Sequence, residues 1–164
     1  MTDLDPLRYF LGIAITSHPD GNRLSQQRYT LDLLARSGLT DTRTAATPME
    51  LHLQLRASDG VPLSDPSRYR HLVGNLVYLA VTRPDISHAV HILSQFVGAP
   101  TSVHYAHLLR VLRYLRGTAS RGLFYSRQSS LQLQAYSDVT WTSSPDDRLS
   151  VTGYCIFLWS SLVV

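Results

Sequence analysis

Residues 82–117 have the sequence TRPDISHAVHILSQFVGAPTSVHYAHLLRVLRYLRG. Apolar side chains recur there every three or four positions, which predicts two amphipathic helices separated by the Gly-Ala-Pro sequence at 98–100. Thr82 and Thr101 stand where the two helices should begin, and a threonine hydroxyl in that position accepts a hydrogen bond from an amide of the first turn. Asp85 follows Thr82 by three residues, as a capping-box acid would.

A third helix is predicted just before this stretch, over about 66–80. Leu72, Val73, Leu76 and Leu79 fall on one face of it. Three helices with matching apolar faces can bury those faces against one another. The sequence therefore predicts a helical unit over 66–117.

The N-terminal residues 1–40 are predicted to form a β-hairpin followed by a helix. Residues 8–15 are rich in aromatic and β-branched side chains, and a turn-forming cluster at 18–22 separates them from a short second strand. Ser25 is the expected N-cap of the helix, and Gly38 is the expected C-terminal stop.

Two further regions complete the predicted α+β architecture. Residues 41–65 lack a clear period and are expected to be a linker or a surface-hugging loop. Residues 122–164 contain three stretches typical of strands, at 122–126, 131–136 and 151–158. Exposed strand edges there would favour self-association.

The charge distribution favours an anionic partner. All 15 basic residues are arginine, and the net charge is +3. No acidic residue occurs from Ile86 to Ser137. No apolar run is long enough to span a bilayer and no signal-peptide pattern is present, so we expect no membrane association and a nuclear or cytoplasmic protein. The single cysteine, Cys155, excludes an intrachain disulfide.

An ordered set of motifs covers nearly the whole chain. They are YFLGIAI (9–15), LSQQRYTLDLLARSGL (24–39), TPM (47–49), YRHLVGNLVYLAVTRPDISHAV (69–90), LSQF (93–96), APTSVH (99–104), RVLRYLRGT (110–118) and AYSD (135–138). The set resembles the polyprotein of copia-type LTR retrotransposons, at the end of the reverse transcriptase and the start of its ribonuclease H domain.

The resemblance implies a reverse-transcriptase architecture for the first two thirds of the chain. The hairpin is similar to a primer grip, and the helices of 66–117 are similar to a thumb. Both imply contacts to an RNA–DNA hybrid or duplex DNA that depend on backbone and shape. Gly12 would then allow close approach to a primer; alternatively it is a strand glycine that marks a bulge.

In the same resemblance, Asp138 matches the first catalytic carboxylate of a ribonuclease H site on an incomplete ribonuclease-H-like sheet over 122–164. That chemistry needs several carboxylates to hold two magnesium ions. The family motif usually continues Ser-Asp-Ala-Asp-Trp, whereas this chain has Ser-Asp-Val-Thr-Trp at 137–141. We expect the family's later acids to lie beyond residue 164, so Asp138 is a metal ligand in the intact parent and is insufficient alone.

A row of arginines supplies the candidate nucleic-acid contacts. Arg110, Arg113 and Arg116 are spaced by three along a predicted helix, roughly opposite its apolar face. They would either follow a phosphate backbone or form an ordinary solvated face. His88 with His91, and His104 with His107, are also spaced by three, but packed or exposed histidines are more common than a zinc site, and we expect no cofactor.

Three functions are consistent with these features. The chain is a catalytically inactive remnant with weak nucleic-acid affinity, a binding or interaction module that uses the arginine-rich helix, or a ribonuclease H whose missing carboxylates come from another chain. Binding at physiological salt and divalent-dependent hybrid cleavage distinguish them.

Overall fold

The computed structural model describes residues 7–128, 130–140 and 150–163, and these form two compact units. The helical unit runs from residue 28 to residue 119. The sheet unit comprises the described residues up to 27 and those from 120 onward. Within the described part of the chain, no helix is both long enough and apolar enough to cross a membrane. The mixed α+β class predicted from the sequence is confirmed.

The helical unit contains the helices that the periodicity predicted. They are α1 (Gln27–Arg36), whose first residue belongs to the sheet unit, α2 (Ser67–Leu79), α3 (Ser87–Ser94) and α4 (Ser102–Gly117). A 3₁₀ turn over Pro84–Ile86 leads into α3, so the second predicted helix is shorter than expected. Gly38 follows α1 with a φ of 64°, which confirms it as the stop because glycine adopts the left-handed region without a steric penalty.

The core of this unit is formed chiefly by one face of each helix, and Leu55 of the 41–65 segment and Ile86 of the 3₁₀ turn also belong to it. Tyr69, Leu76 and Leu79 of α2 are fully buried or nearly so, and they pack with Leu93 of α3 and Leu108 of α4. The Tyr69 hydroxyl donates to the Leu93 carbonyl at 2.7 Å. Burial raises the pKa of that hydroxyl, so Tyr69 stays neutral and its hydrogen bond is retained at physiological pH.

Of the two predicted caps, one is confirmed and one is wrong. Thr101 and His104 form a reciprocal capping box at the start of α4. The cap predicted at Thr82 is wrong. Arg83 occupies the N-cap position of the 3₁₀ turn, and no side chain makes a capping hydrogen bond there. Asp85 does not act as a capping-box acid, because its carboxylate accepts from Arg83 at 2.7 and 2.8 Å.

Arg83 explains that difference. Its side chain is almost completely buried, and a buried guanidinium is stable only when its charge and its donors are satisfied. It donates to both Asp85 oxygens and to the Thr118 carbonyl and hydroxyl, while the Tyr114 hydroxyl donates to Asp85 at 2.6 Å. This network ties the start of the 3₁₀ turn to the end of α4.

Residues 41–65 lie along α4. Of the two structures expected for them, a linker and a loop held against the surface, they form the second. The Leu63 amide donates to the Pro100 carbonyl and the Ser102 amide donates to the Val61 carbonyl, at 3.0 and 2.8 Å. Further along, the Nε2 atom of His104 lies 3.1 Å from the Arg56 carbonyl. The segment therefore lies close to α4, and its last residues contact the N-terminus of that helix.

The sheet unit contains a four-stranded antiparallel sheet in the order β1-β2-β3-β4. The strands are β1 (Tyr9–Phe10), β2 (Ile13–His18), β3 (Gly21–Ser25) and β4 (Leu123–Ser126). The hairpin of β2 and β3 is confirmed. The single strand expected over 8–15 is wrong, because Leu11 and Gly12 both have positive φ and reverse the chain in a two-residue turn.

A separate three-stranded antiparallel sheet contains β5 (Leu133–Thr140), β6 (Val151–Leu158) and β7 (Ser161–Leu162). The strand predicted at 151–158 is confirmed, and the strand predicted at 131–136 begins later and continues through Asp138. The strand at 122–126 was grouped with this sheet by sequence, but β4 pairs with β3. Its hydrogen-bonding partner lies about 100 residues earlier in the chain, which no local pattern indicates.

Candidate nucleic-acid interface

The arginine row lies on α4 and faces the first part of the 41–65 segment. Arg113 donates to Asp41 from Nε and Nη2, at 3.2 and 2.7 Å to one carboxylate oxygen. Arg116 donates to the backbone carbonyl of Asp41, and its Nη1 lies 3.5 Å from the Asp41 carboxylate. Two of the three predicted contact residues thus hold the segment on the helix.

Arg110, the third member of the row, is paired one turn earlier. Its Nη1 donates to Glu50 at 3.0 Å and its Nη2 donates to Thr47 at 3.1 Å. Its Nε is buried and has no hydrogen-bond partner among the described residues. Arg110 therefore keeps one donor that the described protein groups do not use.

Electrostatics keep Asp41 ionised in this arrangement. The hydrogen bond from Arg113 is the largest cause that holds the pKa of Asp41 below its usual range, and the nearby charges of Arg113 and Arg116 act in the same direction. Partial burial opposes the shift but does not cancel it. The guanidinium of Arg113 is stabilised in its charged form by the same bond, which raises its pKa.

A groove of about 450 Å³ lies beside the row, between α4 and the 41–65 segment. Its lining residues are Arg43, Thr44, Ala45, Ala46, Glu50, Ala106, His107, Arg110 and Arg113. Arg43 is exposed and forms no ion pair among the described residues. Sequence reasoning missed Arg43, because it lies in a segment without periodicity and only the folding of that segment onto α4 brings it to the groove.

The other two predicted site residues lie in the sheet unit. Gly12 occupies the β1–β2 turn with a φ of 78°, so it is a turn residue and does not mark a bulge within a strand. Asp138 is exposed on β5 opposite Gly153, and its Oδ1 accepts from the Val139 amide at 2.9 Å. Trp141 of the same motif lies outside the described residues.

The histidine pairs have different environments. His104 is fully buried, stacks on Phe96 at 3.9 Å between ring centroids, and accepts from the Thr101 amide at Nδ1. His107 lines the groove, and His88 and His91 are exposed on α3. Within the part of the chain that the structure describes, no three histidine, cysteine or acidic side chains come together as a metal site would require.

Comparison with known proteins gives relatives over nearly the full chain. The retrovirus-related Pol polyprotein from transposon RE2 of Arabidopsis thaliana is 47% identical over 96% of this chain. Uncharacterized mitochondrial protein AtMg00810 of the same plant is 42% identical over 99% of this chain and 68% of its own length. The putative transposon Ty5-1 protein YCL074W of Saccharomyces cerevisiae is 34% identical over 98% of this chain and 55% of its own length.

The chain matches only a small part of each full-length Pol polyprotein. The chain spans 11% of the length of the Pol polyproteins from transposons RE1 and RE2. No protein-family model matches the chain, and no solved structure matches it.

Proposed function

This chain belongs to the family of retrovirus-related Pol polyproteins of transposons, and from that premise we propose that its helical unit binds nucleic-acid duplexes weakly, without sequence preference and without catalysis. In this proposal the unit corresponds to a reverse-transcriptase thumb and the hairpin corresponds to a primer grip. The ligand class is an RNA–DNA hybrid or duplex DNA. The whole chain then corresponds to a non-catalytic segment of a retrotransposon polyprotein.

The observation that carries the proposal is the basic surface of α4 and the segment beside it. Arg110, Arg113 and Arg116 lie there against the carboxylates of Asp41 and Glu50, and Arg43 lines the groove beside them. The three ion-paired arginine side chains keep about a quarter to a third of their surface exposed. The pair of Arg110 with Glu50, whose carboxylate side chain is 54% exposed, is of the exposed kind that contributes about 0–1 kcal/mol, so phosphate oxygens can compete for Arg110.

The arrangement favours backbone contacts over base recognition. Guanidinium groups bind phosphate oxygens in a bidentate manner, and this electrostatic contribution is independent of sequence. Among the described residues, the lining of the groove contains no phenylalanine, tyrosine or tryptophan, and His107 is the only ring that it offers to a base. Affinity should therefore be salt-dependent and similar for different sequences.

A labelled RNA–DNA hybrid and a labelled DNA duplex, titrated with the full chain across a salt series, test the proposal. Each phosphate neutralised contributes about −0.9 to the slope of log K against log salt on B-form DNA. Replacing Arg110, Arg113 and Arg116 together by Gln should flatten the slope by at most about 3 units. Arg28→Gln, at an exposed position on α1, is the matched control. Absence of binding at low salt, or an unchanged slope in a folded triple variant, would refute the proposal.

The absence of catalysis is tested separately. Two-metal hydrolysis needs several carboxylates around paired ions, and Asp138 supplies one. We expect no cleavage of the hybrid in magnesium or manganese. Cleavage that disappears in Asp138→Ala would instead support the ribonuclease H alternative, in which another chain supplies the remaining carboxylates.

A further inference from the structure

We propose that the groove beside α4 is a binding site for one phosphate group, with Arg43 and Arg110 as its direct ligands and Glu50 as the group that the phosphate displaces. The site itself requires only that arginine side chains bind a phosphate group. Its assignment to a nucleic-acid backbone rests on the proposed function.

Unused donors are the first observation. Arg110 lines the groove and has a buried Nε without a hydrogen-bond partner among the described residues. A buried donor without a partner costs about 1–3 kcal/mol, and more for a charged group, so the bonds to Glu50 and Thr47 leave the Arg110 guanidinium incompletely satisfied. Arg43 lines the same groove with an exposed guanidinium that forms no ion pair among the described residues.

The balance of charge is the second observation. Among the described residues, three arginines line the groove, and Glu50 is the only carboxylate that does so. Glu50 already accepts from Arg110, so its carboxylate occupies the position of an anion. Its side chain is 54% exposed, and an ion pair this exposed is weak. A backbone phosphodiester carries the same single charge as this carboxylate, but it can accept from Arg43 as well as from Arg110, whereas Glu50 pairs, among the described residues, with Arg110 alone.

The three arginines of the row then have two different roles, because Arg110 binds the phosphate directly and the other two do not. Arg113 and Arg116 are positioning residues, because their bonds to Asp41 and to the neighbouring carbonyls hold the segment that carries Arg43. Thr44 contacts the end of α4 closely as well: a Cβ at Gly117 would lie 3.4 Å from its side chain. Loss of a positioning residue should therefore lower thermal stability as well as affinity, whereas loss of Arg43 should lower affinity alone.

The experiment uses the full chain and the variants Arg43→Gln, Glu50→Gln and Arg116→Gln, with Arg28→Gln as the control. Affinity for a labelled RNA–DNA hybrid is measured across a salt series. Binding of inorganic tripolyphosphate is followed by the amide NMR shifts of residues 43–50. Thermal melting reports on the positioning role.

We expect Arg43→Gln to reduce the salt slope by about 1 unit without a change in melting temperature. Glu50→Gln should raise hybrid affinity by about threefold at low salt, because it removes the competing charge. Tripolyphosphate should shift the amides of 43–50, and Arg43→Gln should abolish that shift.

Each other outcome has a distinct meaning. Hybrid binding that neither Arg43→Gln nor Glu50→Gln changes would overturn the groove site and leave the proposed function intact. Tripolyphosphate binding that depends on Arg43, without hybrid binding, would support a site for free phosphate and overturn the proposed function. A tripolyphosphate shift that persists in Arg43→Gln, or the absence of both kinds of binding, would overturn the groove site.

Discussion

The helical unit and the sheet unit differ in what stabilises them. Every buried apolar side chain of the described residues lies between Leu33 and Leu115, within the helical unit. The sheet unit contributes none, and Leu133, Tyr136 and Tyr154 on its second sheet are each at least 60% exposed. One unit is held by a packed core, whereas the other is held chiefly by its strand hydrogen bonds.

This difference matters because buried apolar side chains and backbone hydrogen bonds contribute unequally to the free energy of unfolding. Burying a large apolar side chain contributes about 1.5–3 kcal/mol, whereas a backbone hydrogen bond replaces one to water and contributes about 1 kcal/mol. Two or three strands without a covered face are marginal in water. Exposed apolar side chains on such a sheet also favour self-association, which remains a prediction for this chain.

Native-state hydrogen exchange should show the largest contrast. Amides of α2 and α4 should open only with the whole helical unit, whereas those of β5 and β6 should open locally. We expect the free energies of opening to differ by about 5 kcal/mol or more, given the usual stability of a packed unit. Equal protection in the two units would mean that a packing partner covers the sheets, and it would contradict the contrast between the units.

Truncating matched leucines should show the next largest contrast. Leu108 is fully buried in α4, and Leu133 is 68% exposed on β5. Leu108→Ala should lower the free energy of unfolding by about 2–5 kcal/mol because it leaves a cavity. Leu133→Ala should change it by about 0.5 kcal/mol or less. Urea denaturation followed by circular dichroism measures both, and similar losses would contradict the assignment of the core.

Removing the charge of Asp85 tests the polar part of the helical unit. Asp85→Asn leaves the buried Arg83 without a carboxylate. We expect a loss of about 2–3 kcal/mol, at the low end for a buried pair because Asp85 is partly exposed. Asp32→Asn, on the exposed side of α1, is the control and should be nearly neutral. A neutral Asp85→Asn would show that Arg83 finds other partners.

Acid should destabilise the helical unit by a smaller amount. Burial opposes ionisation of Asp85, but hydrogen bonds from Arg83 and Tyr114 and the charge of Arg83 lower its pKa in the folded state. A lowered folded-state pKa gives stability that is complete above the unfolded pKa and is lost as the pH falls below about 4. Denaturation midpoints at pH 7 and pH 3 measure this loss, and Asp85→Asn should reduce the difference between them.

Local patterns predicted the parts of the fold whose causes are local. The hairpin of β2 and β3, the stop at Gly38 and the Thr101 cap each depend on a few adjacent residues, and all three are present. The position of Arg110, Arg113 and Arg116 on one helix also followed from their spacing. What they contact did not follow, because Asp41 and Glu50 lie at least 60 residues away in sequence.

The sequence by itself determined the helices, most of the strands and the row of arginines, because periodicity and turn chemistry act over a few residues. The tertiary structure alone decided that Arg83 takes Asp85 away from its expected cap, since the cost of burying a charge depends on the surroundings of that charge. It also decided that Arg43 joins α4 in one groove. Only packing of the 41–65 segment against the helix brings those residues together.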